Sequence, residues 1–80
     1  KIENLICINI QSNNEHLFAI SRFYNLDFEL LVKLKDGKMS NLLTLNTLQD
    51  EISLEGFPAG IYFLEVSCLN KIEVRKMIKN

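Results

Sequence analysis

Apolar and polar residues alternate along most of this chain, which is the period of a β-strand with one buried face. The alternation is clearest in residues 28–35 and 51–55, where Glu, Ser and Lys separate the apolar side chains. Residues 61–66 are apolar on both faces except for Glu65, which indicates a strand inside a sheet and not at its edge. Helical spacing occurs only in residues 26–34, where it is the weaker interpretation. The pattern therefore predicts an all-β chain.

Gly56, Pro58 and Gly60 break the alternating pattern, and the fold prediction starts from this break. Glycine permits positive φ, and proline fixes its own φ near −65° without donating a hydrogen bond, so this spacing favours a rigid loop. The loop joins two predicted strands, 51–55 and 61–66. The residues that we expect to be buried on either side of it are Ile52, Leu54, Tyr62, Leu64 and Val66.

The remaining strands follow from the same pattern. Predicted strands cover residues 1–11, 17–24, 28–35, 38–45 and 71–78, and polar breaks lie at 11–16, 25–27, 46–50 and 69–70. About seven short strands with turn residues between them predict an antiparallel β-sandwich of immunoglobulin-like architecture.

Two details of these strands are specific enough to test. Asp36-Gly37 lies between alternating segments, which predicts a hairpin closed by a type I′ turn with positive φ at both central residues. In the last strand the predicted inner row is Ile72, Val74 and Ile78, interrupted by Lys76, with Glu73, Arg75 and Met77 on the other face.

Composition narrows the function classes. The chain has 80 residues, 48% of them hydrophobic, and a formal net charge of −1, which is typical of one soluble globular domain spanning residues 1–80. This charge does not favour a nucleic-acid partner. No apolar run approaches the roughly 20 residues of a membrane-spanning helix. Because the chain starts directly on a predicted strand, we expect it to be a fragment or module of something longer.

Candidate chemistry is sparse. His16 lies in a polar segment with no second histidine, so we expect a solvated side chain and not a metal ligand or a base. Asp50, Glu51 and Glu55 fit the wet face of a strand better than a calcium site. No nucleophile elbow, phosphate loop or dinucleotide fingerprint is present. We therefore expect a non-catalytic domain without metal or cofactor.

The two cysteines, Cys7 and Cys68, are too far apart in sequence for a zinc or haem-attachment motif. A disulfide across the sandwich and two buried thiols are both open interpretations. The lysines around the hairpin, Lys33, Lys35 and Lys38, indicate a soluble, protected edge more than a phosphate or glycan contact.

Residues 32–80 carry a resemblance to a known family. Its parts are Asp36-Gly37-Lys38, then the strand of Ile52 and Leu54 leading into Gly60, Tyr62, Leu64 and Val66, then Lys76, Met77, Ile78 and Lys79 at the end. This arrangement resembles the C-terminal sorting domain of type IX secretion system cargo in Bacteroidota. The segment 34–37 is tighter than the usual family pattern, and residues 1–30 match only in being rich in strands.

The resemblance implies a signal and not an enzyme. Such a domain is attached behind a cargo domain, reaches the cell surface or the medium through the periplasm, and is recognised by a secretion translocon and a sortase-like peptidase. A basic terminal strand suits this role because an edge strand offers its backbone to a partner. The residues that we expect to contact the sorting machinery are Lys71, Arg75, Lys76, Ile78 and Lys79.

Two other interpretations stay open. The lysines of the terminal strand could serve solely to protect an exposed edge, without contacting a partner. In addition, the chain could be a structural or adhesive immunoglobulin-like spacer of a surface protein, with or without glycan binding.

Overall fold

The computed structural model describes residues 8–14, 16–22, 29–48, 51–68 and 71–80. This part of the chain forms strands and contains no helix, which confirms the all-β prediction. The strands are β1 (Ile8–Asn14), β2 (Leu17–Arg22), β3 (Leu30–Asp36), β4 (Asn41–Thr47), β5 (Glu51–Ser53), β6 (Gly60–Cys68) and β7 (Lys71–Lys79). The predictions for residues 1–7, for the strand end and turn at 23–27, for Phe28, and for the breaks at 49–50 and 69–70 lie outside the described residues.

The strands form two antiparallel sheets that pack face to face. One sheet has the order β1-β2-β5, and the other has the order β4-β3-β6-β7. Strands one, two and five on one side, facing strands three, six and seven on the other, are the arrangement of an immunoglobulin-like sandwich, and here β4 pairs with β3. The seven-strand sandwich prediction is therefore confirmed for the described residues.

The core lies between the sheets and consists of alternate residues from their inner faces, as the alternating pattern requires. The smaller sheet and the loop after it contribute Ile8, Ile10, Phe18, Ile20, Ile52 and Leu54. The larger sheet contributes Leu30, Val32, Leu34, Tyr62, Leu64, Val66, Cys68 and Met77. The predicted burial of the residues on both sides of the glycine-proline loop is thus confirmed.

The predicted central position of β6 is also confirmed. It pairs with β3 on one side and with β7 on the other, so that Leu64 lies between Leu34 and Arg75. Its inner residues alternate with outer residues that are exposed, such as Ile61, or partly buried, such as Phe63. This strand therefore determines where the terminal strand can lie.

Several predicted strand boundaries were wrong. Residues 11–14 continue β1 where a polar loop was predicted, because Gln11 and Ser12 pair with Ala19 and Phe18 of β2. The side chains of Gln11 and Ser12 are exposed, so they incur no cost of burial. β4 begins at Asn41 and extends to Thr47, beyond the predicted limits of 38–45.

The hairpin between β3 and β4 is present, but its predicted turn type was wrong. The Met39 amide donates to the Asp36 carbonyl at 2.8 Å, and the Asp36 amide donates to the Ser40 carbonyl at 3.1 Å. Met39, and not Gly37, has positive φ, at 62°. These features match a three-residue hairpin loop whose third residue is left-handed. This loop is longer than the two-residue loop of a type I′ turn.

The predicted inner face of the last strand was wrong as well. Met77 of β7 is buried, whereas Ile72, Val74 and Ile78 are exposed on the outer face of the sheet. The register with β6 fixes this orientation, since Met77 lies opposite the inward-facing Tyr62. Lys76 therefore belongs to an exposed row and does not disturb the core.

Candidate recognition surface on the terminal strand

β7 is the last strand of the larger sheet. Along one edge it pairs with β6 over its full length, from Lys71 opposite Cys68 to Lys79 opposite Gly60. No strand in the described part of the chain pairs with its other edge, although β1 of the facing sheet lies close to it. Such an edge presents backbone N–H and C=O groups to which another strand can add.

The exposed face of β7 combines apolar and basic side chains. We call Ile72, Val74, Lys76 and Ile78 the outer row. The exposed fractions of its apolar members are 66% for Ile72, 43% for Val74 and 56% for Ile78. Ile78 lies opposite Ile61 of β6, which is itself exposed, so the apolar surface extends over two strands. Exposed apolar residues that lie near one another on a surface are found at interaction sites.

Lys71 and Arg75 are exposed on the other face of β7. Arg75 Nη1 lies 2.8 Å from Glu73 Oε2 and also donates to the Val74 carbonyl at 3.1 Å. The guanidinium is thus held by its own strand, and its further N–H donors can reach a partner.

Lys79 does not belong to this surface. Its half-buried Nζ donates to the carbonyl of Leu54 at 2.9 Å and to the carbonyl of Phe57 at 2.7 Å. The side chain ties the end of β7 to the loop between β5 and β6. Of the predicted recognition residues, the structure therefore brings Lys71, Arg75, Lys76 and Ile78 to the exposed strand and gives Lys79 a structural contact.

Sequence reasoning missed this contact because charge alone does not distinguish an exposed lysine from one that caps a loop. The phase of β7, which is set by its pairing with β6 and not by its own sequence, places the side chain where it can make this contact. Lys79 has the same parity as the buried Met77, so it faces the core side of the sheet.

Tyr62, in the segment Gly60-x-Tyr62, is also structural. Its hydroxyl donates to the carbonyl of Pro58, and its ring meets that of Phe57 edge-on with centroids 6.0 Å apart. A tyrosine near the start of strand six, bonded back to the corner after strand five, is the tyrosine corner of immunoglobulin-like sandwiches. Gly60-x-Tyr62 is therefore explained by the fold.

Two glycines give the corner its shape. Gly56 has a φ of 89° and Gly60 a φ of 152°, both in the region that favours glycine. The predicted special backbone of this loop is thus present, and the motif of Gly60, Tyr62, Leu64 and Val66 holds the sandwich together.

Asp36 organises the other predicted motif. Its Oδ1 accepts hydrogen bonds from the amides of Lys38 and Ser40, both at 2.9 Å. These bonds shape the hairpin loop, so Asp36 has a structural role and Gly37 lies within the loop that it shapes.

Two of the lysines near the hairpin, Lys33 and Lys35, are partly neutralised by Glu65. Lys35 Nζ lies 3.4 Å from Glu65 Oε1, and Lys33 Nζ lies 3.8 Å from Glu65 Oε2. The three side chains bridge neighbouring strands β3 and β6 on the outer face. One carboxylate between two lysines stabilises this face more readily than it recruits a phosphate.

The other candidate groups are dispersed. His16 is an exposed turn residue whose carbonyl accepts the Leu54 amide at 2.5 Å. Within the described ranges, no three or more His, Cys, Asp and Glu side chains are grouped so that they could hold a metal ion. Cys68 is buried, while Cys7 and Asp50 lie outside these ranges. The described residues also include no helix long and apolar enough to cross a membrane.

The chain matches no protein-family model and no curated protein.

Proposed function

We propose that this chain is a non-catalytic sorting domain that directs an attached cargo through a secretion translocon to the cell surface or the medium. The observation that carries the proposal is the terminal strand β7, which combines an edge that no described strand pairs with and an exposed row of Ile72, Val74, Lys76 and Ile78. The resemblance of residues 32–80 to type IX sorting domains supports the same role.

The recognition step in this proposal is strand addition. A partner strand pairs with the backbone of β7 along its open edge, which supplies affinity without requiring a particular sequence. Specificity comes from the exposed side chains beside that edge, namely Lys71, Arg75, Lys76 and Ile78. Lys79 acts indirectly because it holds the end of β7 against the loop after β5.

The domain itself performs no chemistry in this account. The sortase-like peptidase acts on the chain between cargo and domain, and the rigid sandwich is the part that the machinery holds. Secretion through the periplasm requires the sandwich to keep its fold there. The tyrosine corner and the Lys79 contacts fix the β5–β6 loop in place and so help the sandwich to stay folded.

A reporter fusion tests the proposal. The full domain is fused behind an inert periplasmic reporter in a host that has the type IX machinery, and in a matched strain without its translocon. We expect the reporter at the surface or in the medium only when both domain and translocon are present. A folded fusion that stays in the periplasm of the competent host would contradict the proposal and favour the spacer or adhesive module.

Deleting residues 76–80 is unsuitable as the only test of the signal. The deletion removes the buried Met77 and both Lys79 hydrogen bonds, so it disrupts the sandwich as well as the surface. We therefore use it as an unfolded control, with circular dichroism of the purified domain to establish its state. Point substitutions on the outer row are the informative variants.

A further inference from the structure

We infer that two copies of this chain pair through their β7 strands, antiparallel and centred on Val74, to form one continuous sheet. The inference concerns a second copy of the chain, which occupies the same edge of β7 as the partner strand in the sorting proposal, so the two pairings exclude each other. It begins with the edge of β7, with which no described strand pairs, and with the uncovered apolar residues beside it.

Symmetry limits how two β7 strands can meet. A two-fold axis perpendicular to the sheet passes midway between the two copies of one residue, which lie opposite each other, and every other residue is matched at equal distance on either side. We call the residue that lies opposite its own copy the centre of the register. A centre at any residue from Glu73 to Met77 allows a ladder of at least five residues within Lys71–Lys79. These five registers differ in the charges that they place opposite one another.

Four of the registers place like charges face to face, which is unfavourable for directly opposed side chains. A centre at Glu73, Arg75 or Lys76 puts that charged residue opposite its own copy. A centre at Met77 puts Arg75 opposite Lys79 of the second copy. None of these four avoids a repulsive pair.

The register centred on Val74 places no like charges opposite each other. It places Glu73 of each copy opposite Arg75 of the other, and Val74 opposite Val74. Since Glu73 and Arg75 already pair within each strand at 2.8 Å, the dimer forms a square of alternating charges. The Arg75 guanidinium has enough N–H donors to bind both carboxylates.

The backbone and the outer row are compatible with this pairing. Arg75 now covers the Val74 carbonyl, and turning toward the second Glu73 frees that acceptor for the ladder between copies. On the outer face, Ile72 lies opposite Lys76 of the second copy, whose methylene stem can cover the exposed isoleucine.

The dimer should be reversible and weak. A single strand ladder is a small interface, and exposed ion pairs contribute little, so we expect a dissociation constant of roughly 0.1–1 mM. Sedimentation equilibrium or light scattering at chain concentrations reaching about 1 mM measures it in this range.

Charge reversal tests the register directly. Glu73→Arg leaves two arginines on each strand, and Arg75→Glu leaves two glutamates. Either variant alone should therefore self-associate at least about tenfold more weakly than the parent chain. An equimolar mixture restores opposite charges across the two-fold axis, and its association should return to within about threefold of the parent chain. Glu55→Arg, in the exposed loop after β5, is the control for net charge.

A second variant covers the case in which Glu73, which is partly buried, does not tolerate arginine. Val74→Lys puts two lysines opposite each other at the centre, and it should abolish dimerisation. Ile61→Lys, on the same face but one strand away from the edge, should not. A monomeric parent chain at about 1 mM, a mixture no more associated than its components, or a dimeric Val74→Lys variant would each overturn the inference.

Discussion

At the scale of single residues, Gly60 is the clearest case of backbone conformation dictating residue type. Its φ of 152° is in a region that only glycine adopts readily. An added Cβ would meet no atom within 4 Å, so any cost arises in the backbone and not from a clash. We expect Gly60→Ala to lower the free energy of unfolding by about 1–3 kcal/mol, measured by urea denaturation.

Gly37 is the matched control for this prediction. Its φ is not positive, and an added Cβ would lie 3.5 Å from the Ile61 Cβ, which is ordinary van der Waals contact. Gly37→Ala should therefore change stability by less than about 0.5 kcal/mol. Equal effects at the two glycines would show that the positive φ of Gly60 carries no cost.

Met39 presents the opposite situation, because a non-glycine residue occupies a positive φ of 62°. The left-handed conformation costs an L-residue about 1–2 kcal/mol, and the exposed Met39 side chain recovers little of it. Met39→Gly should raise the free energy of unfolding by about 0.5–1 kcal/mol after the larger entropy of unfolded glycine is subtracted. Thermal melts measure the gain.

Lys38→Gly is the control for this substitution, since Lys38 is exposed in the same loop without positive φ. It should lower the melting temperature slightly. A loss of stability in Met39→Gly as large as in Lys38→Gly would contradict the account of the loop.

The sequence predicted where this hairpin turns but not how. Asp-Gly pairs are common in two-residue type I′ turns, which made that type the natural prediction. The actual loop is set by Asp36, whose carboxylate binds the amides of Lys38 and Ser40 and places the left-handed residue at Met39. Side-chain bonds of this kind depend on geometry that the residue order alone does not determine.

At the scale of elements, the terminal strand shows why an edge is harder to predict than a centre. The pattern of β7 alone favours Ile72, Val74 and Ile78 as the inner row, yet the pairing with β6 turns Met77 inward. An edge strand need bury only a few side chains, so its own sequence constrains its phase weakly. The central β6, covered on one face and paired on both sides, was predicted correctly.

The contact of Lys79 with the β5–β6 loop gives a prediction for the same element. Lys79→Met retains most of the side-chain length but leaves the Leu54 and Phe57 carbonyls without their charged donor. We expect a loss of about 1–3 kcal/mol in the free energy of unfolding, measured by denaturant titration.

Lys76→Met provides the comparison, because Lys76 lies on the exposed face of the same strand. That variant should remain within about 0.5 kcal/mol of the parent chain. Similar losses in the two variants would mean that lysine at the end of β7 stabilises the fold by charge in general and not by binding the loop.

At the scale of the whole molecule, the alternating pattern was sufficient to predict the sandwich and most of its core. Leu64 lies at the centre of that core, with an exposed fraction of 0%. Leu64→Ala should cost about 2–5 kcal/mol, whereas Ile61→Ala, on the exposed face of the same strand, should cost much less. Urea denaturation of both variants measures the difference, and comparable losses would contradict the two-layer packing.

The recognition surface could be predicted only in part. The basic, apolar character of the last strand was visible in the sequence, and Lys71, Arg75, Lys76 and Ile78 are indeed exposed on it. The role of Lys79 depends on a contact with residues more than twenty positions away, which no local pattern encodes. The Gly60-x-Tyr62 motif is part of the family resemblance, but its geometry is that of a fold determinant.

The sorting role rests on the outer row of β7, and paired substitutions test it without unfolding the domain. The test variant carries Lys76→Glu and Ile78→Ser, and the control carries Lys38→Glu and Leu48→Ser, at exposed positions away from β7. Both should melt within a few degrees of the parent domain, since exposed substitutions change stability by about 0.5 kcal/mol or less.

Surface delivery of the reporter fusion in the type IX host is the deciding measurement. We predict that the test variant loses most of its delivery, by about tenfold, which corresponds to about 1.4 kcal/mol of lost recognition. The control should be delivered as well as the parent domain. Equal delivery of the test and control variants, with both domains folded, would contradict a recognition role for the terminal strand.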